Sequence, residues 1–163
     1  MNEDRIAGIV AQWRRERPDL DPAPLLIIGR IQRLAEVLDA ALRPPFAEAD
    51  LGYGEFDVLA ALRREGTPYT LTAGQLSQRM LVTTGAVTKR VDRLIARGLV
   101  SRSVSDSDAR GRVVGLTPAG VALTDRLIEQ HLANEAAILR ELSDADRRAL
   151  ERLLATLTRI VRS

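Results

Sequence analysis

Apolar residues recur along most of this chain every three or four positions, the spacing that lines one face of an α-helix. Ile6, Ile9, Val10 and Trp13 form the first such stripe, over residues 4–17. Pro18-Asp19-Leu20-Asp21-Pro22 breaks it. Ile27, Ile31, Leu34, Leu38 and Leu42 form a longer one over residues 24–42, and Pro44-Pro45 stops it. Phe56, Leu59 and Leu62 predict a helix over residues 55–64, closed by Gly66-Thr67-Pro68. Thr72 has the side chain to cap a short helix through Met80, and Thr83 or Thr84 to cap another over residues 85–97. Val87, Val91, Leu94 and Ile95 are the apolar positions of that last helix, with Gly98 as its C′ residue.

The period then shortens. Residues 99–104 and 112–116 read as two strands of a hairpin, joined by the polar run Ser105-Asp106-Ser107-Asp108-Ala109-Arg110-Gly111. Thr117-Pro118 opens a helix in the preferred way, a cap followed by proline, and it is expected to run to about Leu142. Ser143 caps a final helix carrying Leu150, Leu153, Leu154, Leu157 and Ile160. The predicted fold class is mainly α: a winged helix-turn-helix with a two-stranded wing over residues 49–117, flanked by helices at 1–48 and 118–163. The terminal helices hold more apolar surface than one small domain needs. They can bundle within one chain, or pair across a two-fold axis as a dimerisation region.

Composition narrows the class. The chain has 163 residues, 45% of them hydrophobic but only 3% aromatic, so its core is aliphatic and rich in helix formers. Cysteine is absent, which excludes thiol-based sensing and cysteine-ligated zinc. No apolar run approaches the roughly 20 residues that span a bilayer, and the first sixteen residues lack a signal-like apolar stretch. A cytoplasmic protein with no membrane partner is expected.

The net charge of +2 hides an asymmetry. Residues 71–116 hold Arg79, Lys89, Arg90, Arg93, Arg97, Arg102, Arg110 and Arg112 against Asp92, Asp106 and Asp108, a local +5 that leaves −3 elsewhere. A basic middle in an acidic frame suits a polyanionic partner at that middle alone.

Catalytic chemistry has little to stand on. His131, the one histidine, lies inside a long predicted helix and reads as a surface or packing residue. Gly52-Tyr53-Gly54 precedes a helix and lacks the phosphate-loop fingerprint. No Ser-His-Asp or His-carboxylate set is readable. No enzyme, metal or cofactor is expected.

The order short helix, turn, basic helix, hairpin points instead to double-stranded DNA. A helix about 12 Å across fits the major groove, where small polar side chains at its start approach base edges. Thr83, Thr84, Gly85, Thr88 and Lys89 occupy that start, and Arg93 has the reach for a phosphate. Arg110 and Arg112 sit at the hairpin, where an arginine suits the narrow minor groove. The competing reading is a winged-helix protein-interaction module that binds no DNA.

The motifs Gln75-Leu76, Gly85-Ala86-Val87-Thr88-Lys89-Arg90-Val91-Asp92-Arg93-Leu94, Arg97-Gly98-Leu99-Val100-Ser101-Arg102, Asp108-Ala109-Arg110-Gly111-Arg112 and Leu116-Thr117-Pro118-Ala119-Gly120 together resemble the MarR-type regulators. The resemblance spans most of the chain. It implies a homodimer, a pseudo-palindromic operator, repression, and release by a small ligand. The family wing often reads Asp-Arg-Arg, whereas here Ala109 replaces the first arginine, so the minor-groove contact rests on Arg110. Trp13, Asp57, Arg90 and Arg102 further resemble the urate-responsive branch. In that branch the matching Trp and strand Arg bind an anionic purine, and the matching acid and helix Arg couple binding to DNA release. An indole supplies a stacking face and a guanidinium a planar fork for an anionic oxygen. A phenolic or aromatic acid would satisfy the same groups, and Trp13 can equally be a packing residue.

Arg110→Ala is expected to weaken DNA binding and to lower its salt slope by about 1 if the side chain meets a phosphate. An unchanged affinity would remove the wing from the interface.

Overall fold

A computed structural model describes residues 5–80, 83–104 and 112–162. The chain divides into two compact units, Met1–Pro44 and Pro45–Ser163.

The first unit holds α1 (Arg5–Glu16) and α2 (Leu25–Leu42). Between them the Asp21 carboxylate accepts the Ala23 N–H at 3.0 Å, a local turn that the flanking prolines favour. Ile6 of α1 lies against Gly29 of α2. No residue of α2 is buried, and Ile27 and Leu34 keep over half of their surface.

The second unit runs α3 (Pro44–Glu48), α4 (Tyr53–Arg64), β1 (Thr70–Thr72), α5 (Ala73–Met80), α6 (Thr84–Ala96), β2 (Val100–Val104), β3 (Arg112–Leu116), α7 (Pro118–Ile138) and α8 (Asp144–Arg162). The described strands form one antiparallel sheet in the order β1-β3-β2. Leu71 opposes Val114, and Val114 opposes Arg102 across the next ladder. The hairpin β2–β3 is the expected wing. β1 adds a third strand that spacing alone does not reveal. The hairpin tip, with Arg110, lies outside the described residues.

Four caps appear where the side-chain chemistry predicts them. Thr72 Oγ accepts the Gln75 N–H at 3.2 Å while Gln75 Oε1 accepts the Thr72 N–H at 2.8 Å, a reciprocal capping box. Thr83 Oγ accepts from Ala86, Thr117 Oγ from Gly120 and Ser143 Oγ from Asp146. Gly98, at φ +69°, takes the left-handed turn after α6 that favours glycine. α7 ends at Ile138 rather than near Leu142. Arg147 of α8 donates to the Leu139 and Arg140 carbonyls at 3.1 and 3.3 Å, which caps the end of α7 and reverses the chain.

The core is built around α4. Phe56, Val58, Leu59, Ala60, Ala61 and Leu62 are all buried, so this helix is covered nearly all round. Leu71, Leu76, Val87, Val91, Leu94 and Leu127 close over it from the neighbouring elements. Phe46 of α3 is fully buried and stacks on Phe56 at 4.4 Å. His131 of α7 completes this cluster, 5.3 Å from Phe46 and 5.7 Å from Phe56, with Nε2 facing Glu135 at 3.1 Å. The histidine is thus a packing residue. Arg63, bidentate to Asp125 at 2.7 and 3.2 Å and lying over the Tyr69 ring, ties the end of α4 to α7.

Gly120 marks the tightest approach: a Cβ there would stand 2.0 Å from the Leu99 carbonyl oxygen. Backbone cannot yield as a side-chain tip can. Gly120→Ala is therefore expected to cost about 1–3 kcal/mol of stability, read as a lower urea midpoint at constant m. An unmoved midpoint would show that α7 shifts freely.

Candidate nucleic-acid interface

α6 is held by one face and bare on the other. Val87, Val91 and Leu94 are at most 1% exposed and face the core, each worth about 1.5–3 kcal/mol when fully buried. Thr83, Gly85, Thr88, Lys89 and Asp92 are exposed, and Thr84 opens the helix. Within α6, Gly85, Thr88, Lys89 and Asp92 recur at the spacing of one helical face. The elements thus bring together Thr83, Gly85, Thr88 and Lys89 as one polar surface at the start of the helix. Nothing crowds a Cβ at Gly85, so backbone there is open to a close partner.

Two ion pairs and a set of backbone contacts lock α6 in place from its exposed side. Arg93 donates to Glu55 at 3.3 Å, and Glu55 is fixed because its other oxygen accepts the Gly52 N–H at 2.8 Å, capping α4. Glu55 is nearly buried, whereas the Arg93 side chain remains 73% exposed. Arg93 is therefore anchored at one nitrogen and still presented to solvent. Arg97 donates to the Ala49 and Asp50 carbonyls, tying the end of α6 to the loop before α4. Arg102 of β2 pairs with Asp92 of α6 at 2.7 Å, joining wing strand to helix. Arg112, at the start of β3 opposite Val104, is exposed.

Arg90 takes a different course. Its guanidinium crosses α4 at Gly54, where a Cβ would stand 2.5 Å from the guanidinium carbon. Glycine is thus what admits this arginine. Asp57, one turn further along α4, feels its positive charge and that of Arg64. Burial nevertheless pushes the Asp57 carboxyl above the usual carboxylate range, and the two arginines only partly oppose the rise. Asp57 and Arg90 are therefore electrostatic neighbours. Arg102 engages Asp92 instead, and Trp13, half-exposed, belongs to the first unit.

Glu55, Gly54 and Asp92 did not figure among the residues expected from sequence. The Gly-x-x-Glu spacing at 52–55 is a capping signal that would have found Glu55. Gly54 and Asp92 act through partners 36 and 10 positions away and leave no local sign. An open cleft of about 620 Å³, lined by Ala47, Asp50, Leu51, Gly52, Glu55, Arg93, Ala96 and Arg97, sits beside the Glu55–Arg93 pair. Among the described residues no cluster of three or more His, Asp or Glu is arranged for a metal, and no helix is long and apolar enough to cross a membrane.

A capped helix pair with a bare polar face, backed by a hairpin, defines a winged helix-turn-helix regulator. Comparison with known proteins agrees. Residues 49–111 match the model of the MarR family. The HTH-type transcriptional regulator PecS of Dickeya dadantii (strain 3937) is 39% identical over 149 residues, covering 91% of this chain and 90% of the relative. Among solved structures, an E. coli MarR variant complexed with operator DNA superposes with a TM-score of 0.70 at 25% identity, covering 89% of this chain and 96% of the other. Bordetella bronchiseptica BpsR, described for regulation of its DNA binding by 6-hydroxynicotinic acid, gives 0.67 at 26% identity, covering 80% and 98%. The chain belongs to the MarR family of DNA-binding transcriptional regulators, and within it to the PecS-like type. This family consists of regulators rather than enzymes.

The raised Asp57 carboxyl has a consequence for stability. The folded chain binds this proton more tightly than the unfolded chain. Stability therefore falls as pH rises through the ordinary Asp range up to the raised folded value, and the cost persists above it. Asp57→Asn is expected to raise the melting temperature at neutral pH, with the gain fading as the medium is made acid enough to protonate Asp57 in both states. A variant no more stable than wild type at pH 7 would show that Arg64 and Arg90 outweigh burial.

Proposed function

We propose that the chain is a homodimeric repressor that occupies a pseudo-palindromic operator and is released by a small anionic aromatic ligand, a purine such as urate. The operator face is Thr83, Thr84, Gly85, Thr88, Lys89 and Arg93 of the helix with Arg110 and Arg112 of the wing. Residues 49–117 read DNA, and residues 1–48 and 118–163 make the dimer. Half-sites one helical turn apart follow from placing two such helices in successive major grooves.

The exposed apolar stripe of α8 supports the dimer. Leu150, Leu153, Leu154 and Ile160 are 40–63% exposed, and no residue of the helix is buried. A stripe of this length left to water is costly, and a second copy covers it without any new element.

The observation that carries the ligand reading is the pair Asp57 and Arg90. A carboxyl held above its ordinary pKa range beside a cation from the DNA-reading helix responds to any anion brought near it. Added negative charge favours its protonation, which weakens its hold on Arg90 and frees the helix it belongs to. Arg102 supplies the cationic fork for the ligand, and Trp13 the stacking face. The resemblance of Trp13, Asp57, Arg90 and Arg102 to the urate-responsive branch supports a purine. The regulation of BpsR by 6-hydroxynicotinic acid supports a second class, the heteroaromatic acids, for the same groups.

The test is a fluorescence-anisotropy titration of the full chain on its own upstream DNA, with and without urate and 6-hydroxynicotinic acid. Saturable, salt-sensitive binding is expected, reversed by urate; Trp13→Phe is expected to spare DNA binding while blunting that reversal at least about fivefold, and Arg102→Gln to blunt it by a similar factor relative to its own ligand-free affinity. Reversal by the nicotinic acid alone would move the ligand to the second class. Undiminished reversal in both variants would remove Trp13 and Arg102 from the site.

A further inference from the structure

Arg102 has an occupant already. Asp92 Oδ1 stands 2.7 Å from Arg102 Nη1, and the two side chains are 54% and 38% exposed. The carboxylate comes from the DNA-reading helix and the guanidinium from the wing strand, so the pair bridges the two elements that the operator face uses. Such half-exposed pairs add little net stability, and water or another anion exchanges with them readily. A planar anionic ligand that offers two oxygens to a guanidinium makes the stronger, bidentate contact.

We propose that Asp92 is the internal occupant of the effector's anion subsite, and that an anionic ligand acts by taking its place on Arg102 and leaving an uncompensated carboxylate on the DNA-reading helix. The inference rests on the reading above that the ligand's anion meets Arg102. Its mechanism is an exchange of partners. Before exchange, Asp92 and Arg102 cancel. Afterwards Arg102 is neutralised by the ligand, and a bare negative charge stands on the helix that approaches DNA phosphates. Screening at physiological salt leaves such a charge effective over about 8 Å. Lys89, three residues earlier on α6, lies at neighbour spacing, so a freed Asp92 also draws on a cation that the DNA backbone needs. An ion pair that braces two elements thereby becomes a switch read as charge.

The reading makes Asp92 a positioning residue with a signature that a purely structural role lacks. Removing a merely structural contact does not improve ligand binding. Removing a competitor does.

The test uses four full-length proteins: wild type, Asp92→Asn, Arg102→Gln and the double variant. Urate affinity is measured by calorimetry, and operator affinity by anisotropy with and without urate. Asp92→Asn is expected to bind urate at least about fivefold more tightly and to lose the share of urate's effect on DNA that Asp57 and Arg90 do not carry. Without ligand, Arg102→Gln is expected to weaken DNA binding by about tenfold, and Asp92→Asn to restore most of that loss while changing DNA affinity little in the wild-type background. This ligand-free cycle decides whether Arg102 masks Asp92 whatever the natural effector is. If the two substitutions act independently on DNA affinity, or if Asp92→Asn leaves urate affinity unchanged while Arg102→Gln abolishes it, the competition is overturned and the Arg102 site stands. If urate binds Arg102→Gln as well as wild type, the site reading itself fails and the exchange fails with it.

Discussion

A helix that presents one face to a partner must be held firmly while leaving that face uncovered, and the packing around α6 in the second unit is organised around that constraint. Val87, Val91 and Leu94 bury one side of α6 against a core centred on α4. Three buried aliphatics fix its depth and roll. They do not fix its position along its own axis, because apolar contacts are non-directional. That task falls to polar contacts at its margins: the Thr83 cap at one end, Arg97 on the Ala49 and Asp50 carbonyls at the other, and Arg93 on Glu55 between them. The polar contacts are directional and exposed, so the helix is held tightly in depth and adjustably in register.

The same division explains why α4 matters more than its own exposure suggests. It supplies the buried wall for α6, the Glu55 anchor for Arg93, the Gly54 gap for Arg90 and the Asp57 carboxyl. The groups that meet Arg90 and Arg93 of α6 thus share one short element, whereas Arg97 and Asp92 are held from the loop before it and from β2. Asp57 is the costly member, a carboxyl kept partly from water.

Much of this was legible from sequence. The helices, the hairpin, the glycine after α6 and all four side-chain caps announced themselves because periodicity and capping are local. What escaped was short or distant. β1 is three residues long and exists only because Leu71 finds Val114 across forty-odd positions. α3 was hidden by Pro44-Pro45, which end one helix and also suit the first turn of the next, where the missing N–H groups have no partner to lose. The candidate DNA face was placed from near-consecutive residues, and Thr83, Gly85, Thr88 and Lys89 do fall on one exposed surface. The coupling residues Glu55, Gly54 and Asp92 depend on tertiary partners. Arg102 and Asp57 were singled out by resemblance, and no spacing rule foretells that Arg102 pairs with Asp92 or that Arg90 crosses the chain at a glycine.

The distribution of aromatic residues has a practical side. Trp13 is the single tryptophan of the chain and lies, half-exposed, in the first unit, while Tyr53 and Tyr69 both lie in the second. Each unit therefore carries its own chromophore. Indole emission, excited at wavelengths too long for phenol to absorb, therefore speaks for the N-terminal helices alone, with no tryptophan of the second unit to dilute it.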